Sequence, residues 1–441
     1  MRIAGSAAPQ AGVGCHEGVP TDPRWFGRGP AVGLLRSRET AQQTSYVELF
    51  FDLIMVFALN RLVAFAVQGA GTPDSTIRWI SVARILLLLA ALVWAWTITA
   101  YITARLDPTA PGTQSSVLLT AFALLVMGTS LTNAFDGGAL VFAMSYVFAQ
   151  TARVLFLGWV LKTHPLASVY HRSLAWFGLA AVFWVAGALA GGDAQLSLWA
   201  VAVVVEFGSA RLGWPIPGRG RQRATAWAVR PHHMAERYQQ LLLLALGETL
   251  LSVGATFAIG RNRVTATEIL GLLVAFLTAV LLWRTYFHRA GLLLADAVAT
   301  DRDPAQVGRF AGSAHVVMIA GIVATSIGHG IVQSRPVGHS YPAWLAMMLG
   351  GPAGFLLGRA ALERAVFARI SPRRWVGIAV MLAAGPPLLS APPLVPAATA
   401  AVVLFGIAVA DTRQAARRPG EQPKPADGNA TWLWRPHGRP D

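Results

Sequence analysis

The apolar residues of this chain stand in long blocks and do not alternate with polar residues over short runs. A helix needs about 20 consecutive, mostly apolar residues to cross a lipid bilayer, and many of the blocks approach this length. The pattern therefore predicts an all-α fold, a polytopic transmembrane helix bundle of about 12 spans. The predicted spans are 46–67, 77–101, 115–135, 139–161, 170–190, 195–211, 237–258, 266–287, 310–333, 341–361, 374–391 and 394–411.

The junction between the last two predicted spans is crowded with prolines. Proline interrupts the hydrogen bonds of a helix, so the junction is predicted to be a tight turn or a re-entrant hairpin. The prolines concerned are Pro386, Pro387, Pro392, Pro393 and Pro396.

Arginine and lysine are divided unequally between the two sides of the predicted bundle. Of the 36 basic residues, only Arg78, Arg261, Arg263 and Arg335 fall in the loops of one side. The loops that carry the excess of Arg and Lys are cytoplasmic in membrane proteins. The sequence therefore predicts a multi-pass membrane protein with an even number of spans and both termini in the cytoplasm.

Composition agrees with a lipid environment, since 54% of the 441 residues are hydrophobic and 13% are charged. The net charge of +15 would suggest nucleic acid for a soluble protein, but the basic loops account for it and no nucleic-acid partner is expected. The expected partners are the lipid bilayer, anionic lipids at the cytoplasmic face and an unknown small solute or ion. The single cysteine, Cys15, excludes an internal disulfide, and neither a cofactor nor a metal site is expected.

Aromatic and Val-rich runs recur about six spans apart, which suggests an internal repeat of six spans plus six. The chain is accordingly divided into a disordered basic segment (1–43), a first six-helix half (44–211), a basic cytoplasmic linker (212–235), a second half (236–412) and a disordered cytoplasmic tail (413–441).

Acids inside the predicted spans are the first candidates for function, because a charge at the bilayer centre costs about 2.5–3.5 kcal/mol. Glu48 and Asp52 are four residues apart in the first span and so share one helix face. Glu248 lies near the midplane of the seventh span, and Glu206 lies near the middle of the sixth. For Asp52, a buried structural ion pair and a proton or cation site both remain open.

Further candidates are Arg153 in the fourth span and His315 at the start of the ninth. We expect the four acids to gather around Arg153, with His315 close by. Glu236 and Arg237 lie near the cytoplasmic interface, where helix capping and snorkelling are the simpler interpretations. Tyr286 lies at the inner end of the eighth span.

Three familiar catalytic or nucleotide-binding patterns are missing from the chain: a phosphate-binding loop, a Gly-x-Ser-x-Gly motif and a His-Glu-x-x-His motif. An ATP-driven or soluble-type catalytic module is therefore not expected, and no residue is assigned a catalytic role.

Two runs of the sequence resemble signatures of a known family. The run Val47-Glu-Leu-Phe-Phe-Asp-Leu-Ile-Met-Val-Phe-Ala58 resembles the opening of the bacterial low temperature requirement A (LtrA) proteins. The segment from Ala235-Glu-Arg-Tyr to Leu246-Gly-Glu-Thr resembles their Glu-Arg…Leu-Gly-Glu segment. The resemblance covers about residues 44–412 and implies a multi-spanning bacterial membrane protein, named for growth in the cold, without implying a molecular activity.

Three functions are compatible with these patterns. The first is a proton- or cation-linked transporter or channel that uses the embedded acids. The second is a membrane-embedded enzyme acting on lipids or hydrophobic metabolites, which a cytoplasmic-side cavity shared by Tyr286, His288 and Glu236 would favour. The third is a structural or sensing role in cold-adapted membranes, in which the charges hold helices together.

Overall fold

The computed structural model describes residues 44–70, 75–164, 166–222, 231–258, 265–301, 304–417 and 422. Within these residues the chain is mostly helical, and an isolated β bridge joins Ile216 to Gly220. The predicted N-terminal segment 1–43 lies outside the described residues. So does most of the predicted tail, although 413–417 are helical and continue the last helix.

Fourteen α-helices cover most of the described residues. They are α1 (Tyr46–Gly69), α2 (Ser75–Thr103), α3 (Pro111–Ser130), α4 (Ala139–Val160), α5 (Ala167–Ala190), α6 (Gly192–Arg211), α7 (Pro231–Ala258), α8 (Ala266–Tyr286), α9 (Leu294–Thr300), α10 (Pro304–Ser334), α11 (Pro342–Met348), α12 (Gly350–Phe367), α13 (Pro372–Ala384) and α14 (Leu394–Arg417).

The predicted all-α bundle is confirmed, but the count of about 12 spans is not. Among the described residues, nine helices are long and apolar enough to cross a membrane, and the bent pair α11–α12 makes up to ten. Two predicted spans, α6 and α13, are not among these helices. Helix α6 has a polar first turn and the buried Glu206, and α13 has only 13 residues. The predicted span 341–361 is broken, because α11 and α12 meet at an angle of 42° beside Gly350, Gly351 and Pro352.

The proline-rich junction near the C-terminus forms a 3₁₀ turn, Pro386–Leu388, between α13 and α14. The two helices then run antiparallel, since Arg373 of α13 donates to the carbonyl oxygen of Ala410 near the end of α14. This arrangement fits the predicted tight turn.

The linker predicted at 212–235 is shorter than expected at its C-terminal end. Helix α7 already begins at Pro231, so residues 231–235 belong to the bundle. Proline is favoured in the first turn of a helix, where its missing N–H group costs no hydrogen bond. His233, which the prediction left in the linker, is consequently a buried residue of α7.

Three parallel helices form the part of the bundle that matters for the candidate site. Asp52 of α1 meets Arg237 of α7. Asn60, later in α1, meets Ser252, later in α7, so α1 and α7 run in the same direction. Helix α10 runs alongside α7, because His315 stacks on Tyr238 and Ser326 meets Glu248.

Glycines let α10 and α12 pack with their backbones in contact. A Cβ atom at Gly358 of α12 would lie 2.7 Å from the carbonyl oxygen of Ala314, and one at Gly351 would lie 2.7 Å from the backbone nitrogen of Thr325. Small residues at such contacts are typical of helix pairs in membranes, where close packing replaces the hydrophobic effect as the source of affinity.

Candidate functional site

The first buried charge cluster joins α1 to α7 at their N-terminal ends. The guanidinium group of Arg237 binds Asp52 with two hydrogen bonds, at 2.6 Å to Oδ2 and 2.8 Å to Oδ1. The indole Nε1 of Trp96 in α2 donates a third hydrogen bond to Oδ1 at 2.9 Å. All three side chains are buried. Such a bidentate pair is strong and fixes the geometry of both side chains.

Glu48 completes this ion-pair cluster, which comprises Glu48, Asp52, His233 and Arg237. The Oε1 atom of Glu48 lies 3.1 Å from Nε2 of His233 and 3.7 Å from Nε of Arg237. Its other oxygen accepts hydrogen bonds from the backbone and hydroxyl groups of Ser45, which begins α1 as a capping box. The predicted shared face of Glu48 and Asp52 is confirmed, since both carboxylates contact Arg237.

The second cluster lies among α2, α4, α5 and α6 and contains Glu206. The hydroxyl group of Tyr146 donates a short hydrogen bond to Glu206, and Nε1 of Trp184 donates a second at 3.3 Å. Gln150 donates to the hydroxyl oxygen of Tyr146 at 2.9 Å and accepts a hydrogen bond from Arg153. Arg153 is thus linked to Glu206 only through two neutral side chains.

The third site contains Glu248, which is fully buried where α7 meets α1 and α10. The hydroxyl group of Ser252, one turn along α7, donates a short hydrogen bond to it. The hydroxyl group of Ser326 in α10 donates another at 3.0 Å, and Asn60 of α1 donates to Ser252 at 2.8 Å. Within the described part of the chain, the hydrogen-bond partners of Glu248 are all neutral.

Tyr286 and His315 form a separate buried pair. Nδ1 of His315 lies 2.7 Å from the carbonyl oxygen of Ala311, and Nε2 lies 2.7 Å from the hydroxyl group of Tyr286. A carbonyl oxygen only accepts hydrogen bonds, so we assign the proton to Nδ1, and Nε2 accepts from Tyr286. The ring of Tyr238 stacks on His315 with centroids 4.5 Å apart.

Glu236 lies apart from these clusters at the start of α7. It is half-buried and accepts hydrogen bonds from the backbone nitrogen of Thr44 at 3.4 Å and from Gln240 at 3.3 Å. Its contacts are those of a residue near a helix end, as the sequence suggested.

The expected gathering of four acids around Arg153 is therefore wrong. The counter-charge of Asp52 and Glu48 is Arg237, which the sequence placed at the interface and the structure buries completely. Arg153 instead contacts α2, where it donates to the hydroxyl of Thr99 at 2.7 Å and to the carbonyl oxygen of Ala95 at 3.2 Å.

Sequence reasoning missed several residues that complete these sites. They include Tyr146, Trp184 and Ser252, which bond to the acids, and four more: His233, Trp96, Asn60 and Ser326. Only His233 carried a usable signal, because it lies four residues before Arg237 and so on the same helix face. Within the described ranges, no group of three or more His, Cys, Asp or Glu side chains is arranged to hold a metal ion.

The outer surface of the bundle exposes large apolar side chains along most helices, among them Phe122, Trp159 and Phe405. A surface of this kind around long apolar helices contacts lipid, so the chain is a multi-pass α-helical membrane protein. Residues 43–409 match the family described as bacterial low temperature requirement A protein (LtrA), and the chain belongs to that family.

One relative is the uncharacterized protein RA0937 of Rhizobium meliloti (strain 1021). It is 31% identical over 355 residues, which cover 79% of this chain and 84% of the relative. No solved structure matches the chain.

Proposed function

We propose that this protein is a proton-linked transporter of the bacterial cytoplasmic membrane, in which Glu248 is the side chain that takes up and releases the proton. The observation that carries the proposal is the set of partners around Glu248, which is fully buried yet bound to hydroxyl groups. The motivation is the cost of an unpaired carboxylate in the membrane, which the protonated form avoids.

The two serines suit both protonation states of such a carboxyl group. A hydroxyl group donates one hydrogen bond and also offers lone pairs that accept one. Ser252 and Ser326 donate to the ionised carboxylate, and either can rotate to accept from the protonated acid. An arginine partner would favour only the ionised form, which makes the neutral surroundings of Glu248 suitable for reversible protonation.

The ion-pair cluster lies between Glu248 and the predicted cytoplasmic side. Arg237 and Glu248 are eleven residues apart on α7, which corresponds to about 16 Å along the helix. In the proposed mechanism this cluster braces α1 against α7 on the cytoplasmic side of Glu248.

The enzyme alternative receives no comparable support within the described residues. A cavity shared by Tyr286, His288 and Glu236 would favour it. Tyr286 bonds to His315, whereas Glu236 bonds to Thr44 and Gln240. We therefore retain transport as the proposed function.

Flux through reconstituted protein tests the proposal. Proteoliposomes that contain a pH-sensitive dye are given an inside-negative potassium diffusion potential, and proton entry is recorded. In a second arm, Na⁺ or K⁺ is added outside vesicles with an acid interior, and collapse of the pH gradient is followed. We expect the wild-type protein to move protons in one of these arms and Glu248→Gln to reduce the rate to that of empty vesicles.

Two variants serve as controls for the flux experiment. Glu248→Asp keeps a carboxyl group and is expected to retain measurable flux. Asp193→Asn removes an exposed acid at the start of α6 and is expected to behave like the wild type. Wild-type flux no greater than that of empty vesicles in both arms, or full activity of Glu248→Gln, would overturn the proposal.

A further inference from the structure

One face of α10 carries a row of polar side chains that starts beside Glu248. The row consists of Ser326, His329 and Gln333, which are three and four residues apart and so share one helix face. All three are buried, and His329 is 3% exposed. Gln333 lies seven residues beyond Ser326, or about 10 Å along the helix axis. Because α10 runs parallel to α7, this polar row leads from Glu248 away from the ion-pair cluster.

Both ends of the polar row bond to neighbouring helices. Ser326 donates to Glu248 of α7 at 3.0 Å. Nε2 of Gln333 donates to the backbone carbonyl oxygen of Glu268 at 3.3 Å. Glu268 lies in the first turn of α8, which begins on the predicted outer side of the membrane. The row therefore runs from the proposed proton-binding side chain to an outer helix end.

His329 is the titratable member of the polar row. Its Nδ1 atom is buried and makes no hydrogen bond to the described residues. Buried polar atoms are nearly always hydrogen-bonded in proteins, so such an exception requires an explanation. A neutral imidazole has one N–H group and one nitrogen lone pair, which lets it take up a proton at one nitrogen and release another from the second. Proton transfer therefore accounts for a histidine at this position.

We propose that His329 relays protons between Glu248 and the predicted outer side of the membrane. The inference rests on the proposed function and adds the outer half of its proton route. In the inward direction, a proton binds to the ring nitrogen that carries the lone pair. The proton on the other ring nitrogen leaves for the hydroxyl oxygen of Ser326, which passes its own proton to the carboxylate of Glu248. A flip of the ring then restores the original tautomer.

Proton flux through reconstituted variants of His329 tests the relay. His329→Gln and His329→Asn keep a polar side chain, but an amide does not take up a proton at neutral pH. In the flux assay described above, we expect both variants to lower the rate by about tenfold or more. His339→Gln changes an exposed histidine beyond the end of α10, and this matched control should keep the wild-type rate.

A second measurement separates a relay from a residue that only packs near Glu248. Dicyclohexylcarbodiimide modifies protonated carboxyl groups in apolar surroundings, and the modified Glu248 peptide is quantified by mass spectrometry. We expect both His329 variants to be labelled at the wild-type rate, because Glu248 and its serine partners are unchanged.

The outcomes distinguish the relay from the proposed function. Wild-type flux in the His329 variants, or loss of their flux and labelling together, would overturn the relay and leave the role of Glu248 intact. Wild-type protein that moves no more protons than empty vesicles would overturn the proposed function, and the relay with it.

Discussion

Asp52 and Glu248 are both buried where α1, α7 and their neighbours meet, yet their surroundings are opposite. Asp52 is held by a bidentate arginine and an indole N–H group, and Glu48 with His233 extends the same cluster. Glu248, further along α7, has serine hydroxyl groups as partners. The difference separates two settings for a buried acid: Asp52 is paired with a cation, whereas Glu248 has neutral partners, which is the setting that the proposed proton exchange requires.

The largest effect on stability is expected from Arg237→Gln. This substitution leaves Asp52 and Glu48 buried without their arginine, and removing one partner of a buried ion pair costs about 3–5 kcal/mol. The free energy of unfolding, measured in mixed micelles with increasing SDS, should fall by that amount. The double variant Asp52→Asn with Arg237→Gln should lose less than the single one, because both charges are gone. A single variant as stable as the wild type would contradict the bracing role of the pair.

A smaller effect is expected from Trp96→Phe. The substitution keeps an aromatic ring but removes the hydrogen bond to Asp52, and hydrogen bonds to charged groups contribute about 1.5–3 kcal/mol. The same unfolding measurement should detect the loss. Trp159→Phe, at a tryptophan on the outer surface of α4, is the matched control and should leave the free energy of unfolding within error.

The smallest effect on stability is expected from Glu248→Gln, despite its complete loss of flux. Glutamine has nearly the same shape. Its amide oxygen accepts a hydrogen bond from one of the two serines, its amide NH2 group donates to the hydroxyl oxygen of the other, and the substitution breaks no ion pair. We expect the free energy of unfolding to change by less than about 1 kcal/mol. A loss as large as that of Arg237→Gln would show that Glu248 is an ionised, paired acid, and it would remove the contrast with Asp52.

The features of Asp52 and Glu248 that depend on their position along a single helix could be predicted from the sequence. The spacing of Glu48 and Asp52 predicted their common face, and the place of Glu248 within its apolar block predicted its burial. Likewise, the family match confirms the resemblance found in the first and seventh predicted spans.

Which helices contact one another could not be predicted from the sequence. The helices of this bundle are apolar over most of their circumference, so their sequence pattern does not show which face meets which neighbour. For that reason the sequence suggests Arg153 of the fourth span as the counter-charge, whereas the structure pairs Asp52 with Arg237. The predicted number of spans is not confirmed for a related reason. Helix α6 is one of the predicted spans, but its buried Glu206 and its polar first turn leave it outside the set of helices that are long and apolar enough to cross a membrane.

The glycine contacts between α10 and α12 have a mechanical consequence for Glu248. Because the two backbones touch, we expect α10 and α12 to move as one rigid unit, which includes Ser326 of α10. In the transport cycle proposed above, we therefore expect α7 and α1 to move together relative to α10 and α12, rather than α10 to bend by itself. Ser326 would then be the fixed partner whose hydrogen bond Glu248 breaks and forms again in each cycle.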